Sequence, residues 1–185
     1  VYLSTAKNNT LTAIYANNSN ASGWGLYALD SDTNTITQSM IVGGFRGIFL
    51  STGSDYNRIS YSTANSPGNN NGGLSLQGAS SNTMTAIYSY SVGHAIRLED
   101  SSYNTIMQSS AAGSNYVYYL RSSSYNTLEG IRQYTVAGIQ IINGSNFNTI
   151  SQSTVTASSG GGYGAYIGSA SCNTVTGSYI VNTLG

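Results

Sequence analysis

Residues 101–109 read SSYNTIMQS and residues 123–131 read SSYNTLEGI, so nearly the same phrase returns after 22 residues. Its constant element is an Asn, which is usually followed by Thr and an aliphatic residue. Eight such anchors recur at intervals of 22 to 25 residues: Asn9, Asn34, Asn57, Asn82, Asn104, Asn126, Asn148 and Asn173. A fixed period of this size predicts a stacked-repeat architecture.

The residues around each anchor predict strands. An apolar-x-apolar segment precedes the anchor, as in GIFL at 47–50 and GIQI at 138–141. A second strand begins at the Thr after the anchor, and a third follows a few residues later, as in SMIVGG at 39–44. Alternation with a period of two residues indicates strand rather than helix. We therefore predict an all-β fold: a right-handed, single-stranded parallel β-helix with seven or eight coils of 22–25 residues, forming one domain over residues 1–185.

The anchors predict an internal ladder. A buried Asn is costly alone but is satisfied when copies stack and bond to each other. We therefore expect the amide of each anchor to bond to the amide of the next. Three longer coils carry their extra residues just before the apolar-x-apolar strand, at 17–25, 65–73 and 157–164, which predicts loops on one face.

The composition excludes several classes of function. Only 6% of the residues are charged and the net charge is zero, so no basic surface for nucleic acid is expected. No apolar run is long enough to cross a bilayer, and no cofactor motif is found. Low charge and 16 Tyr favour an extracellular or cell-surface protein. Because residue 1 is Val, we expect a processed protein or an excerpt of a longer one.

The ionisable residues predict one small cluster. Glu99 and Arg121 each precede an anchor by five residues, so they should form an ion pair between coils, near His94 and Arg97. Glycosidase chemistry needs two carboxylates at a set separation, whereas Glu99 and its neighbour Asp100 point to opposite faces. We interpret the cluster as a surface salt bridge worth about 0–1 kcal/mol. No catalytic residue, metal site or cofactor is predicted, and the protein is not expected to be an enzyme.

The chain has one Cys, Cys172, directly before the last anchor. An unpaired thiol in a secreted protein suggests an intermolecular disulfide. A small buried apolar residue is the equally simple alternative.

The segments AIRLEDSSYNTI at 95–106 and GIQIINGSNFNTI at 138–150 resemble the parallel β-helix repeat of the NosD-like and pectate-lyase-like superfamily. The resemblance implies the fold, and it leaves the function open among lyases, epimerases, tailspikes, adhesins and envelope proteins. The lyase and epimerase members use Asp-rich calcium sites or Asp, His, Tyr and Arg groups on one sheet, and this chain lacks the carboxylate cluster. Its composition is similar to that of secreted archaeal or bacterial surface-repeat proteins, including the amyloid-like sheath proteins of filamentous methanogens.

Two functions follow from the sequence. No capping segment closes the repeat, and open β-edges recruit further strands. The first hypothesis is therefore a structural envelope protein whose partner is itself, stacked end to end into a filament, tube or sheath. The alternative is a carbohydrate-binding or polysaccharide-processing β-helix, either tailspike-like or a degenerate lyase or epimerase, with a glycan as its partner.

Overall fold

A computed structural model describes residues 1–68, 71–158 and 162–184 of the chain. These residues form 24 strands and contain no helix. Each coil contributes three strands, and each strand pairs in parallel with its counterparts in the coils before and after it. The prediction of an all-β parallel solenoid is therefore confirmed, with eight coils along three continuous sheets.

The three sheets, which we call A, B and C, follow one another in every coil. Sheet A contains β1 (Tyr2–Ser4), β4 (Trp24–Leu29), β7 (Arg46–Leu50), β10 (Leu74–Gln77), β13 (Ile96–Glu99), β16 (Tyr116–Arg121), β19 (Ala137–Ile142) and β22 (Ala165–Gly168). Sheet B contains β2 (Thr10–Thr12), β5 (Thr35–Thr37), β8 (Arg58–Ser60), β11 (Thr83–Thr85), β14 (Thr105–Met107), β17 (Thr127–Glu129), β20 (Thr149–Ser151) and β23 (Thr174–Thr176). Sheet C contains β3 (Tyr15–Asn18), β6 (Met40–Gly43), β9 (Thr63–Ser66), β12 (Tyr88–Ser91), β15 (Ser110–Gly113), β18 (Arg132–Thr135), β21 (Thr154–Ala157) and β24 (Tyr179–Asn182).

The core is a set of vertical columns of apolar side chains. In sheet A, Leu50, Leu76, Leu98 and Leu120 lie in register in four successive coils and are fully buried. Burial of one such side chain contributes about 1.5–3 kcal/mol. Since a one-residue slip would turn a whole column outward, the columns fix the register of every coil.

The eight anchors lie in one column at the corner between sheets A and B, and their bonding agrees with our prediction only in part. At Asn126, Oδ1 accepts the backbone N–H of Asn104 at 2.8 Å, and Nδ2 donates to the carbonyl of Ser101 at 3.1 Å. Direct bonds between anchor amides occur at four of the seven steps. The residue before each anchor has positive φ, as at Tyr125 (φ 59°), so the turn leaves backbone groups without strand partners. The amides satisfy these backbone groups at every step.

Serines form a second ladder that the sequence analysis missed. Ser123 lies three residues before its anchor; its hydroxyl accepts the N–H of Ser101 at 3.1 Å and donates to the carbonyl of Arg121 at 2.8 Å. The first Ser of the repeated SSYNT phrase, three residues before the Asn, could have predicted this ladder.

The longer segments before the strands of sheet A lie between sheets C and A. The predicted loops at 65–73 and 157–164 fall partly outside the described residues. In the part of the chain that the structure describes, no helix has the length and apolarity that membrane crossing requires.

Candidate functional site

The outer face of sheet A changes from coil to coil. The x residue of each apolar-x-apolar segment points outward, and these residues form a column in register. From the second coil onward the column contains Tyr27, Phe49, Ser75, Arg97, Tyr119, Gln140 and Tyr166. The inward columns beside it stay apolar throughout, so the outward column can vary without loss of the core.

Four aromatic side chains on the first three coils form what we call the aromatic row: Tyr2, Trp24, Tyr27 and Phe49. The rings of Tyr27 and Phe49 stack with centroids 5.2 Å apart, and Tyr2 stacks on Tyr27 at 5.3 Å. Trp24 packs against Tyr27 at 4.6 Å and is 39% exposed. The row is therefore a rigid aromatic surface that solvent can reach from the Trp24 side.

Next to the aromatic row lies a group of charged side chains, the arginine cluster: Arg46, Arg97, Glu99 and Arg121. Arg97 Nη2 lies 2.6 Å from Glu99 Oε1, and Arg121 Nη1 lies 3.6 Å from the same oxygen. Two guanidinium groups, those of Arg97 and Arg121, therefore share one carboxylate. With Arg46 added, the cluster has a local surplus of two positive charges in a chain of zero net charge.

Arg46 is the unusual member of the arginine cluster. Its guanidinium lies 3.9 Å from the centroid of the Phe49 ring, and the residue is only 8% exposed. Its Nε is buried without a hydrogen-bond partner, and no ion pair or side-chain hydrogen bond of Arg46 is found among the residues described. Burial, followed by the positive charge of Arg97, lowers the pKa of Arg46 to about 10. A charge that is held out of water without a counter-ion is a ready site for an anion.

His94 supplies a neutral imidazole at the edge of the arginine cluster. Its ring stacks on Tyr119 at 4.3 Å, and Nδ1 lies 2.7 Å from the carbonyl of Tyr116. A carbonyl only accepts, so Nδ1 carries the proton and Nε2 keeps its lone pair. Burial lowers the pKa of His94 below its ordinary value, so the ring is neutral at pH 7. This is the state that a general base requires.

The structure brings the predicted pair Glu99 and Arg121 into this site, whereas Cys172 lies elsewhere. Cys172 is a free, exposed thiol, which excludes the alternative of a buried apolar residue. It follows Phe147 in an outer column where Tyr125 stacks on Phe147 at 5.0 Å. Within the described ranges, no three His, Cys, Asp or Glu side chains are grouped as a metal site would need.

Sequence reasoning missed Arg46 and the aromatic row. The aromatic x residues could have been found by reading down the apolar-x-apolar segments in register. Arg46 lies outside that pattern, at the first position of β7. Its burial depends on Phe49 and on neighbouring coils, which the sequence alone does not place.

No family model matches the sequence, and no curated protein matches it. Solved structures do match. A double mutant of the periplasmic alginate epimerase AlgG has a TM-score of 0.70 at 14% identity, over 94% of this chain and 47% of that one. A mutant DFA-IIIase from Arthrobacter chlorophenolicus A6, in complex with DFA-III, has a TM-score of 0.57 at 11% identity, over 92% and 44%. A second AlgG structure has a TM-score of 0.56 at 14% identity, over 94% and 46%.

These likenesses place the chain in the parallel β-helix class of folds. The chain spans slightly less than half the length of each of these structures. The AlgG epimerase and the DFA-IIIase are enzymes, which overturns our prediction that a chain of this fold with low charge and few carboxylates is not an enzyme. The arginine cluster was likewise interpreted only as a salt bridge, because Arg46 and the aromatic row were not recognised.

Proposed function

We propose that the chain is a polysaccharide-processing β-helix that binds an acidic glycan on the outer face of sheet A. The observation that carries the proposal is Arg46, a buried guanidinium without a counter-ion beside Arg97. The structural neighbours support the same class, since one is an alginate epimerase and another holds DFA-III.

The ligand chemistry follows from the side chains. A carboxylate on a sugar ring would pair with Arg46 and Arg97 through charge-assisted hydrogen bonds, for which guanidinium geometry is suited. The adjacent aromatic row offers apolar ring surface and, at Trp24, an indole N–H donor. Because successive coils lie about 4.8 Å apart, the arginine cluster and the aromatic row together would follow a linear polymer laid along the helix axis.

The arrangement also suits one type of reaction. Removal of a proton next to a carboxylate needs a neutral base and positive charge that stabilises the anion as it forms. His94 would be the base through Nε2, and Arg46 and Arg97 would hold the carboxylate. The proton passes from the sugar carbon to His94 Nε2, and the electron pair passes into the carboxylate, which is the first step shared by epimerisation and elimination.

The binding proposal is tested by titrating the chain with an oligomannuronate hexamer at low and at physiological salt. We expect binding that weakens with added salt. Arg46→Met should weaken it about tenfold or more, since it removes a charge-assisted contact of about 1.5–3 kcal/mol. The matched control is Arg58→Met, because Arg58 is an exposed arginine on sheet B. Equal affinity of the two variants would overturn the proposal.

The reaction is tested separately with His94→Gln. This variant should still bind the oligouronate but should lose exchange of the ring proton with solvent deuterium, measured by NMR. Exchange that persists in the variant would exclude His94 as the base.

A second candidate function is end-to-end assembly. Ile167 and Val175 continue inward-facing columns of sheets A and B, yet each is 43% exposed on the last coil. A second copy, or further coils of a longer chain, would cover them. Fibres seen by electron microscopy of residues 1–185, lost with Ile167→Lys, would support a filament, tube or sheath; monodisperse monomers would exclude it.

A disulfide at Cys172 and a location outside the cytoplasm are two further parts of the proposal. An intermolecular disulfide at Cys172 would appear as a dimer on a non-reducing gel and would disappear with Cys172→Ser. An extracellular or periplasmic location suits a glycan ligand, and one structural neighbour is periplasmic.

A further inference from the structure

A groove of about 570 Å³ lies at the corner between sheets B and C, away from the sheet A face. It crosses three successive coils, and its walls include Gln108, Glu129, Gly130, Arg132 and Gln152. We call it the B–C groove. Three coils span about 10 Å along the axis at one strand spacing per step, which is long enough for a short run of sugar rings.

A glycine creates the notch at the centre of the B–C groove. Gln108, Gly130 and Gln152 occupy the same corner position in successive coils, and Gly130 has φ 60°. A Cβ at Gly130 would meet its nearest atoms, those of Gln108, only at 3.9 Å. The space is therefore open because the side chain is absent between two amide-bearing neighbours.

The polar side chains of the B–C groove have unused hydrogen-bonding capacity. In the described part of the chain, the side chains of Gln108, Glu129, Arg132 and Gln152 have no hydrogen bond or ion pair with the protein. Together they offer two amides, one carboxylate acceptor and one guanidinium donor.

The charge balance of the B–C groove differs from that of the arginine cluster. One carboxylate and one guanidinium cancel, so the groove has no net attraction for anions. A hydroxyl both donates and accepts, and therefore suits a mixture of amide, carboxylate and guanidinium groups. Met107 adds an apolar wall on which the face of a ring can rest.

We propose that the B–C groove is a second saccharide site that binds an uncharged glycan segment, independently of the acidic-glycan site on sheet A. Glu129 and the two Gln side chains would bind hydroxyls, and the Gly130 notch would admit the ring. This site goes beyond the proposed function, and its presence does not depend on Arg46 or His94.

The test is titration of the full chain with maltohexaose, cellohexaose and xylohexaose, followed by NMR at physiological salt. We expect at least one of these to bind and to shift amides of residues 107–110 and 129–132. Gly130→Asn fills the notch with a residue that tolerates positive φ. It should weaken binding about tenfold, as expected for the loss of one or two hydrogen bonds.

Matched variants separate this result from misfolding and from the sheet A site. Ala13→Asn places the same new side chain at the equivalent positive-φ corner position in the first coil, and it should leave binding unchanged. Arg46→Met should also leave neutral-glycan binding unchanged, and Gly130→Asn should leave oligouronate binding unchanged. Failure of all three neutral hexamers to bind, or equal binding by Gly130→Asn and Ala13→Asn, would overturn the proposal.

Discussion

The corner between sheets A and B and the outer face of sheet A both belong to the same repeat. The corner has the same side chain in every coil, whereas the outer face has a different one in most coils. At the corner every coil presents the same Asn, and its partners are backbone groups and, at four of the seven steps, the neighbouring anchor amide of the same chain. On the face the side chain changes at each coil, and Arg46 has no counter-ion among the described residues. The contrast indicates that the repeated positions build the fold, whereas the departures from repetition build the candidate site.

The largest expected effect on the free energy of unfolding comes from the loss of an anchor. Asn126→Ala would leave the N–H of Asn104 and the carbonyl of Ser101 buried without partners. At about 1–3 kcal/mol for each group, we expect a loss of about 3 kcal/mol in the free energy of unfolding, measured by urea denaturation.

The control for this variant is Asn17→Ala. Asn17 is exposed on β3, and its side chain bonds only to the hydroxyl of Tyr15 at 3.3 Å. It should change stability by less than about 0.5 kcal/mol. If both variants unfold at the same urea concentration, the anchors do not stabilise the fold as described.

Substitution of the site residue Arg46 should change the free energy of unfolding in the opposite direction. Arg46→Met keeps the apolar contact with Phe49 and removes a buried charge that lacks a counter-ion. We expect it to raise the free energy of unfolding by about 1 kcal/mol while it weakens oligouronate binding. Arg58→Met should leave stability nearly unchanged. A clear loss of stability in Arg46→Met would mean that its guanidinium stabilises the fold in the absence of a ligand.

His94 should make stability depend on pH. Burial places its pKa in the folded state below the value of about 6.5 in the unfolded state. The neutral ring therefore contributes stability above pH 6.5, and this contribution is lost as the pH falls from about 6.5 through the lower folded pKa. Melting temperatures at pH 7.5 and pH 5 should differ more for the wild type than for His94→Gln. Equal differences would contradict the assignment.

The smallest effect should come from Arg121→Ala. Arg121 is half-exposed and lies 3.6 Å from Glu99, which has the closer partner Arg97. We expect a loss of at most about 1 kcal/mol, measured by the same urea denaturation. A larger loss would show that this ion pair sets the register of its two coils.

The coil length, the strands and the inward columns were predictable from the sequence because the same pattern recurs in successive coils. The spacing of the Asn anchors gave the coil length, and the apolar-x-apolar segments gave the strands and the inward columns. The bonding of the anchors was only partly anticipated. It depends on the positive φ of residues such as Tyr125, a conformation that bulky side chains seldom adopt.

The candidate site was less predictable because its residues do not recur at the same position in the other coils. Glu99 and Arg121 could be paired through their equal distance from an anchor. Arg46 and Trp24 lie at the ends of strands, where alternation no longer tells inside from outside. Their positions follow from packing against Phe49 and Tyr27 in three dimensions.

The most direct test of the central claim is an amide shift map of the isotope-labelled chain during titration with an oligomannuronate hexamer. If the glycan binds the aromatic row and the arginine cluster, saturable shifts should appear on β4, β7, β13 and β16 of sheet A. The amides at the anchor corner should shift little. Shifts confined to the B–C groove or to the end coils, or no saturable shifts at all, would contradict the account.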